Sequence, residues 1–322
     1  MAAETPFVDA VGVGLNTTDT LILLPHFPAF DSKVEFTGVE VLPGGQAASA
    51  MVACQSWGLR TRYVGKVGDD GAAELQRREL TRARVEAHLL RVVNCASQAA
   101  FILVDQLSGE RTILWRRDAR LALRPEELRR EWIVRARALL VDGHDAAAAA
   151  AAAAWAHQAG VAVAADLDNL YPGVEALLEN VDYLLASRNF PARLTGEANL
   201  LRSLPAIRSR YGCRVTGATL GREGALAWDG GQFHYSPGYR VRAVDTTGAG
   251  DVFHGALVYA LLQAWPLGRQ LDFACAAAAL NCTAVGARGG IRPLEEIERL
   301  MREGTRHATA FDQRELQRYA PA

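Results

Sequence analysis

The 322-residue chain is half hydrophobic and carries 35 basic against 36 acidic side chains, a formal net charge of −1. That length can bury a sizeable core, in one large α/β domain or two ordinary ones, and near-neutrality with no long block of one sign argues against nucleic-acid or membrane-surface partners and for small-molecule chemistry. Five scattered cysteines, with no CxxC pair, argue against a disulfide framework or structural zinc and fit a reducing cytoplasm, as does an N-terminus with an acid where a signal peptide would carry a base.

In chain order, "FVDAVGVGL" near residue 10, "RTRYVGKVG" near 63, "ARALLVDG" near 140, "VAVAADL" near 164, "DYLLAS" near 184 and "VTGATLG" near 218 are short continuous apolar runs separated by helix-patterned stretches. Continuous rather than alternating runs belong to strands covered on both faces. An α/β body is therefore predicted, a mostly parallel sheet between helical layers, with ligands at the carboxyl ends of its strands. Two segments break the pattern: residues 19–45 and 97–121 read as strands joined by turns with no long helix. They are predicted to form a small β-sheet lid on a single domain of residues 1–322, and the lid's edges and apolar face predict a homodimer. The nine alanines Ala146–Ala154 predict a helix capped by Asp145 and ended by Gly160. A membrane span is a poor reading, because alanine is only weakly apolar and His157, Gln158 and Gly160 interrupt the stretch.

Glycine turns carry the chemistry. No GxxxxGK[ST] occurs, and "VGVGLNTT" begins like a dinucleotide fingerprint but holds Thr17 at the third glycine position, so neither motif is satisfied. Two richer sites remain, "LPGGQAASAMVACQSWGL" (42–59) and "AVDTTGAGDVFHGALVYALL" (243–262). In the second, Gly248 and Gly250 let backbone N–H groups converge at the start of an apolar helix, a ready anion site. Asp251 then lies in the first helical turn, where it either merely caps the helix or serves as a base. Phosphoryl transfer needs both parts side by side: donors for the charge developing on the migrating phosphate, and a carboxylate for the proton of the attacking hydroxyl.

"DTTGAGDVFHGAL" and "PGGQAASAMVACQSWGLRTRYVGKVGDD" resemble the two signatures of the ribokinase, or PfkB-type, carbohydrate kinases, in the right order and about 200 residues apart. The resemblance covers roughly residues 8 to 300, and "SGERTILWRRDARL" is similar to ketohexokinase-like members, whereas Lys33 and the "DTTGAGDVFHGAL" stretch look more like sulfofructose kinases. It implies a ribokinase-like, Rossmann-like α/β body with a β lid, and transfer of the ATP γ-phosphate to a sugar hydroxyl with Mg²⁺. By the same resemblance Asp251 is the catalytic base, and Gly248, Ala249 and Gly250 are the anion hole. Asp245 and Thr247, with backbone near 287–290, form a monovalent-cation site, for K⁺.

On the nucleotide side the resemblance implies Thr219, Gly221 and Gly224 in "TLGREG", Asn281 near adenine, and Ser187. The family's NxxE element would fall at Ser187–Phe190, where neither residue matches. Magnesium would then be held through water and ATP oxygens, or bound less tightly. For the sugar it implies Asn16, Asp19, Asp31, Gly44, Gly45, Gln46 and Ser49, with Gln46 and Ser49 standing where asparagines are usual. Paired carboxylates accept from vicinal hydroxyls. Arg116, Arg117 and Lys33 could meet an anionic substituent if the lid carries them inward, or solvate the lid edge. Trp115 is either a wall for the sugar face or lid core, and His254 reads as packed or hydrogen-bonded. The expected activity is phosphorylation of a ketose or furanose hydroxyl, with a nucleoside kinase, a sugar-phosphate kinase and a silent binding regulator as alternatives.

Overall fold

The computed structural model describes residues 7–312 and Leu316; the first six residues, where the signal-peptide reading falls, lie outside the described residues. Thirteen strands form two sheets among them: β1 (Ala10–Val13), β2 (Thr17–Leu24), β3 (Gly38–Gly44), β4 (Thr61–Val67), β5 (Glu86–Arg91), β6 (Ala99–Asp105), β7 (Arg111–Arg116), β8 (Ala138–Val141), β9 (Ala162–Ala165), β10 (Tyr183–Ser187), β11 (Val215–Thr219), β12 (Ala225–Trp228) and β13 (Phe233–Ser236). The helices are α1 (Gln46–Ser56), α2 (Gly71–Arg82), α3 (Arg130–Val134), α4 (Ala146–Gln158), α5 (Val174–Leu178), α6 (Phe190–Thr195), α7 (Leu200–Tyr211), α8 (Ala249–Leu262), α9 (Leu267–Asn281) and α10 (Leu294–Glu303).

The body sheet runs β13-β12-β11-β10-β9-β8-β1-β4-β5, parallel from β5 to β11, with β12 antiparallel to its neighbours. The predicted α/β class is the one observed. Every residue of β1, β4 and β8 is buried, as continuous apolar runs require when helices cover both faces. One face packs on α1, α8 and α9 and the other on α3, α4 and α5. From β1 the chain proceeds to β4 on one side, and β8 resumes on the other, so the strand order reverses between β1 and β8. In open α/β sheets the crevice outside the carboxyl ends at such a reversal is where ligands bind.

The second sheet, β3-β2-β6-β7, stands apart from the body. Its inner face buries Leu21, Ala100, Ile102 and Val104 against Leu42 and Val285. Its outer face leaves Val39, Val41, Phe101 and Leu114 each more than half exposed. The alanine run forms α4, and Gly160, at φ 72°, turns the chain toward β9. Asp145 occupies the N-cap position without a capping hydrogen bond. Its carboxylate is taken by the Arg117 guanidinium, at 2.6 and 2.8 Å, and by Leu123 N at 3.1 Å, because a charge-assisted bidentate pair outcompetes one backbone N–H. No helix among the described residues is long and apolar enough to cross a membrane.

Candidate active site

The turn before α8 is held open by glycine and closed from behind by two buried polar side chains. Gly248 sits at φ 73°, and a Cβ on it would stand 2.3 Å from Ala287 O. Asp245, fully buried, accepts from Thr247 N (2.8 Å) and Thr247 Oγ1 (2.7 Å) on one oxygen and from Gly286 N (2.8 Å) on the other. Asn281, also fully buried, donates to Thr247 O and Ala287 O and accepts from Gly290 N. These bonds fix residues 245–248 against 286–290, so the N–H groups of Gly248, Ala249 and Gly250 open α8 with their direction set in advance. Asn281 is thereby a clamp inside the protein, with both ends of its amide bonded to backbone. The Thr247 hydroxyl, likewise, is spent on Asp245.

Asp251 lies in the first turn of α8. Burial pushes its carboxyl up to about 7, Asp166 adds to the rise, and Arg111, His254 and Arg288 pull it down. Four strands end on this side of the sheet, at Gly14 after β1, Asp142 after β8, Asp166 after β9 and Ser187 ending β10, and of these Asp166 acts on Asp251. Asp142 accepts from Leu15 N at 2.6 Å and His144 N at 3.2 Å, tying the two strands that flank the reversal, and its burial raises it to about 7. Among the described residues no three His, Cys, Asp or Glu side chains converge as ligands for a metal ion.

The lid supplies the opposite wall. Asp19 on β2 is 3% exposed and its Oδ1 has no hydrogen-bond partner, and burial lifts it to about 7. Gly44 is needed beside it, since a Cβ there would meet Asp19 Oδ2 at 2.0 Å. Gly45, at φ 96°, lets α1 start with Gln46 against Leu15 and Asn16. The Asn16 amide donates to Tyr63 Oη and Lys66 O, both at 2.9 Å. Ser49 is fully buried and accepts from Arg288 Nε at 3.1 Å, so it holds a guanidinium in place. Strand register sets Asp19, Ala100 and Trp115 in one row. The Trp115 ring meets His144 edge-on at 5.8 Å, and His144 packs on Tyr171 at 4.8 Å, giving an aromatic wall from lid to body.

Other expected residues are not brought together. Asp31 is exposed at φ 55° in the loop beyond β2. Leu24, where β2 ends, is already five residues past Asp19, roughly 17 Å at the rise of a strand. Arg117 is held by Asp145 with side chains only 13% and 9% exposed, so its charge is matched within the protein. On the nucleotide side, Ser187 and Thr219 are register partners at the ends of β10 and β11. The Gly221–Glu223 turn follows, with Gly224 at φ 95° packed on Ser236 O. Where NxxE was expected, Arg188 instead pairs with Glu223 and donates to Leu220 O.

Asp142, Asp166, Arg111 and Arg288 were not singled out from the sequence. The first two could have been found as acids directly after apolar runs, in "VDGHD" and "AADLD". Arg288 donates to Gly44 O at 2.9 Å, and Arg111, from the lid, donates to Thr246 Oγ1 at 2.6 Å.

A doubly covered parallel sheet, an anion turn opening a helix, and a carboxylate in that helix's first turn define a phosphotransferase of the α/β kinase type. Residues 11–293 match the pfkB family carbohydrate kinase profile, and the chain belongs to that family. It is 29% identical over 290 residues to an ATP-dependent ribose-1-phosphate kinase of Halopiger xanaduensis, covering 87% of this chain and 94% of that one. The crystal structure of a putative ribokinase from Agrobacterium tumefaciens superposes with a TM-score of 0.83 at 29% identity, over 92% of this chain and 98% of that one. A putative ribokinase II from E. coli, in complex with ATP and Mg²⁺, shares the fold at a TM-score of 0.80 and 20% identity, over 91% and 99% of the two chains.

Proposed function

We propose that this protein transfers the γ-phosphoryl group of ATP to a primary hydroxyl of a ketose or furanose sugar, with Asp251 as general base. The observation that carries the reading is the juxtaposition at the start of α8: the Gly248–Gly250 backbone opens the helix, with Ala249 N–H resting on Thr246 O at 3.3 Å, and the next residue is a carboxylate raised to about 7. In the step, the sugar O–H proton passes to Asp251 as the O–P bond forms and the bond from the γ-phosphorus to the β,γ-bridging oxygen breaks, leaving ADP. The N–H groups meet charge on the migrating phosphoryl, where fixed dipoles need no reorganisation. Asp19, buried with a free oxygen, would accept from sugar hydroxyls, while Trp115 and Tyr171 would cover the ring's apolar face.

Magnesium, when bound, would neutralise the β and γ oxygens. It would be held by nucleotide and water, since among the described residues no acidic triad converges for it. A monovalent cation such as K⁺ would sit against the buried Asp245 carboxylate, whose two oxygens accept from Thr247 and from Gly286 N. The apolar outer lid face suits a homodimer.

The test is ADP release with Mg²⁺ and K⁺ against fructose, ribose, sulfofructose, sugar phosphates, aminosugars and adenosine, with Asp251→Asn as control. One Asp251-dependent sugar substrate is the expected result; preference for adenosine, or ATP binding with no turnover on any of them, would overturn it. One observation favours a phosphorylated sugar as the second reading. Arg288 is held on neutral acceptors, Ser49 Oγ and Gly44 O, and no carboxylate lies within 4 Å of it among the described residues. Turnover of ribose 1-phosphate but not ribose, lost in Arg288→Met, would establish that reading.

A further inference from the structure

His254, one turn beyond Asp251 on α8, is 1% exposed and meets only acceptors. Its Nδ1 lies 2.8 Å from Gly250 O and 3.2 Å from Asp166 Oδ2, and its Nε2 lies 2.6 Å from Leu185 O. A neutral imidazole carries one N–H and one lone pair, so either neutral tautomer would press a lone pair against a carbonyl oxygen at hydrogen-bonding distance. A proton placed on Asp166 instead would satisfy that contact but leave Nδ1 facing Gly250 O without a hydrogen. Only the imidazolium, with both nitrogens donating, satisfies every contact. The carboxylate of Asp166 supplies the counter-charge, and the two side chains are 2% and 10% exposed.

The three acceptors belong to three pieces of the site. Gly250 is in the anion turn, Asp166 follows β9, and Leu185 lies within β10. We propose that His254 is a positioning residue of the phosphoryl-transfer site, a permanent buried imidazolium that ties the first turn of α8 to the end of β9 and the middle of β10 and offsets the Asp166 charge beside Asp251. The inference rests on Asp251 being the base.

The electrostatics agree with the geometry. His254 is raised to about 9, Asp166 being the largest cause that raises it, so it stays charged at neutral pH. Besides His254, the charged groups acting on Asp251 are Asp166 at β9, Arg111 from the lid, Arg288 from the loop after α9, and Asp19 on β2. Without the imidazolium, Asp166 would face Asp251 as an uncompensated anion and hold the proton on the base to higher pH.

The experiment is a pH profile of kcat for the wild type, His254→Gln, Asp166→Asn and the double variant, with KM for ATP and for the sugar followed throughout. For His254→Gln the expected result is a kcat lower by about tenfold to a hundredfold with KM for ATP little changed, the scale of a misplaced reacting group. Its acid limb should also move up by about one pH unit, as loss of a neighbouring opposite charge implies. In the double variant the limb should return toward the wild-type position, because the anion is gone as well. An acid limb that stays in place in His254→Gln, or one that the double variant does not restore, would overturn the proposal.

Nitrogen-15 NMR of histidine-labelled wild-type protein, with the His254 signals identified by their loss in the variant, gives a readout independent of activity and of the variant's turnover. Both ring nitrogens should be protonated from pH 6 to 8, and a ring that titrates below 7 would refute the idea even if His254→Gln fails to fold. Full activity in Asp251→Asn with a protonated His254 ring would strike at the base assignment alone.

Discussion

At the scale of single residues, the site is a set of acids kept from ionising freely by burial. Asp251 and Asp19 both stand at about 7, and each raises or is raised by neighbouring carboxylates. A base works only when ionised, so kcat/KM should rise as pH passes upward through about 7 and flatten above it, with an apparent midpoint that belongs to the coupled pair. Asp251→Asn should lower kcat by about 10²–10⁴-fold, the usual scale for a positioned general base. Its melting temperature should be unchanged or higher at pH 8, since the substitution removes a buried charge. His254 has the opposite bearing on stability. Its folded pKa is raised above the unfolded value of 6.5 to about 9, so its contribution is complete below about pH 6.5 and lost as pH rises through 9. Thermal melts of wild type and His254→Gln should therefore converge between pH 7 and 10.

At the scale of elements, one turn and one ion pair carry the geometry. Gly248→Ala would force a Cβ into Ala287 O at φ 73°. The strain should cost more than ~2 kcal/mol in urea denaturation and abolish turnover, because the donors lose their direction. The Arg117–Asp145 pair joins the segment leaving β7 to the start of α4. Arg117→Met leaves the Asp145 carboxylate, 9% exposed, without its partner and should destabilise the fold by roughly 3 kcal/mol; an unchanged denaturation midpoint would show the pair to be dispensable.

The same two elements show what a sequence discloses. The anion turn and Asp251 are contiguous, so four residues, Gly248 to Asp251, named their own chemistry. Asp142, Asp166 and Arg288 come from separate strand ends and a loop, and only the strand order brings them together. Asn281 and Arg117 were noticed as polar groups in suggestive places. Their partners, Thr247, Ala287 and Gly290 for one and Asp145 for the other, lie up to 34 residues away, so the clamp and the ion pair could not be read from the local sequence. For Asp31, nothing local told how far the loop after β2 would project.

At the scale of the whole molecule, the lid's outer face remains to be covered. Val41 and Phe101 are each more than half exposed in a sheet with open edges. Light scattering should report a dimer, and Phe101→Glu should yield monomers that stay folded by circular dichroism; a monomeric wild type would assign that face to another role. The staples behind the anion turn have a different consequence, one of timing during synthesis. Asp251 is made thirty residues before Asn281, and thirty-five before Gly286, whose N–H completes Asp245. A chain still emerging from the ribosome can therefore fold β1 through β13 and even begin α8 while its phosphate cradle stays slack. A chain truncated within α9 should therefore bind or hydrolyse no ATP, and nucleotide turnover by such a product would show that the cradle forms without its staples.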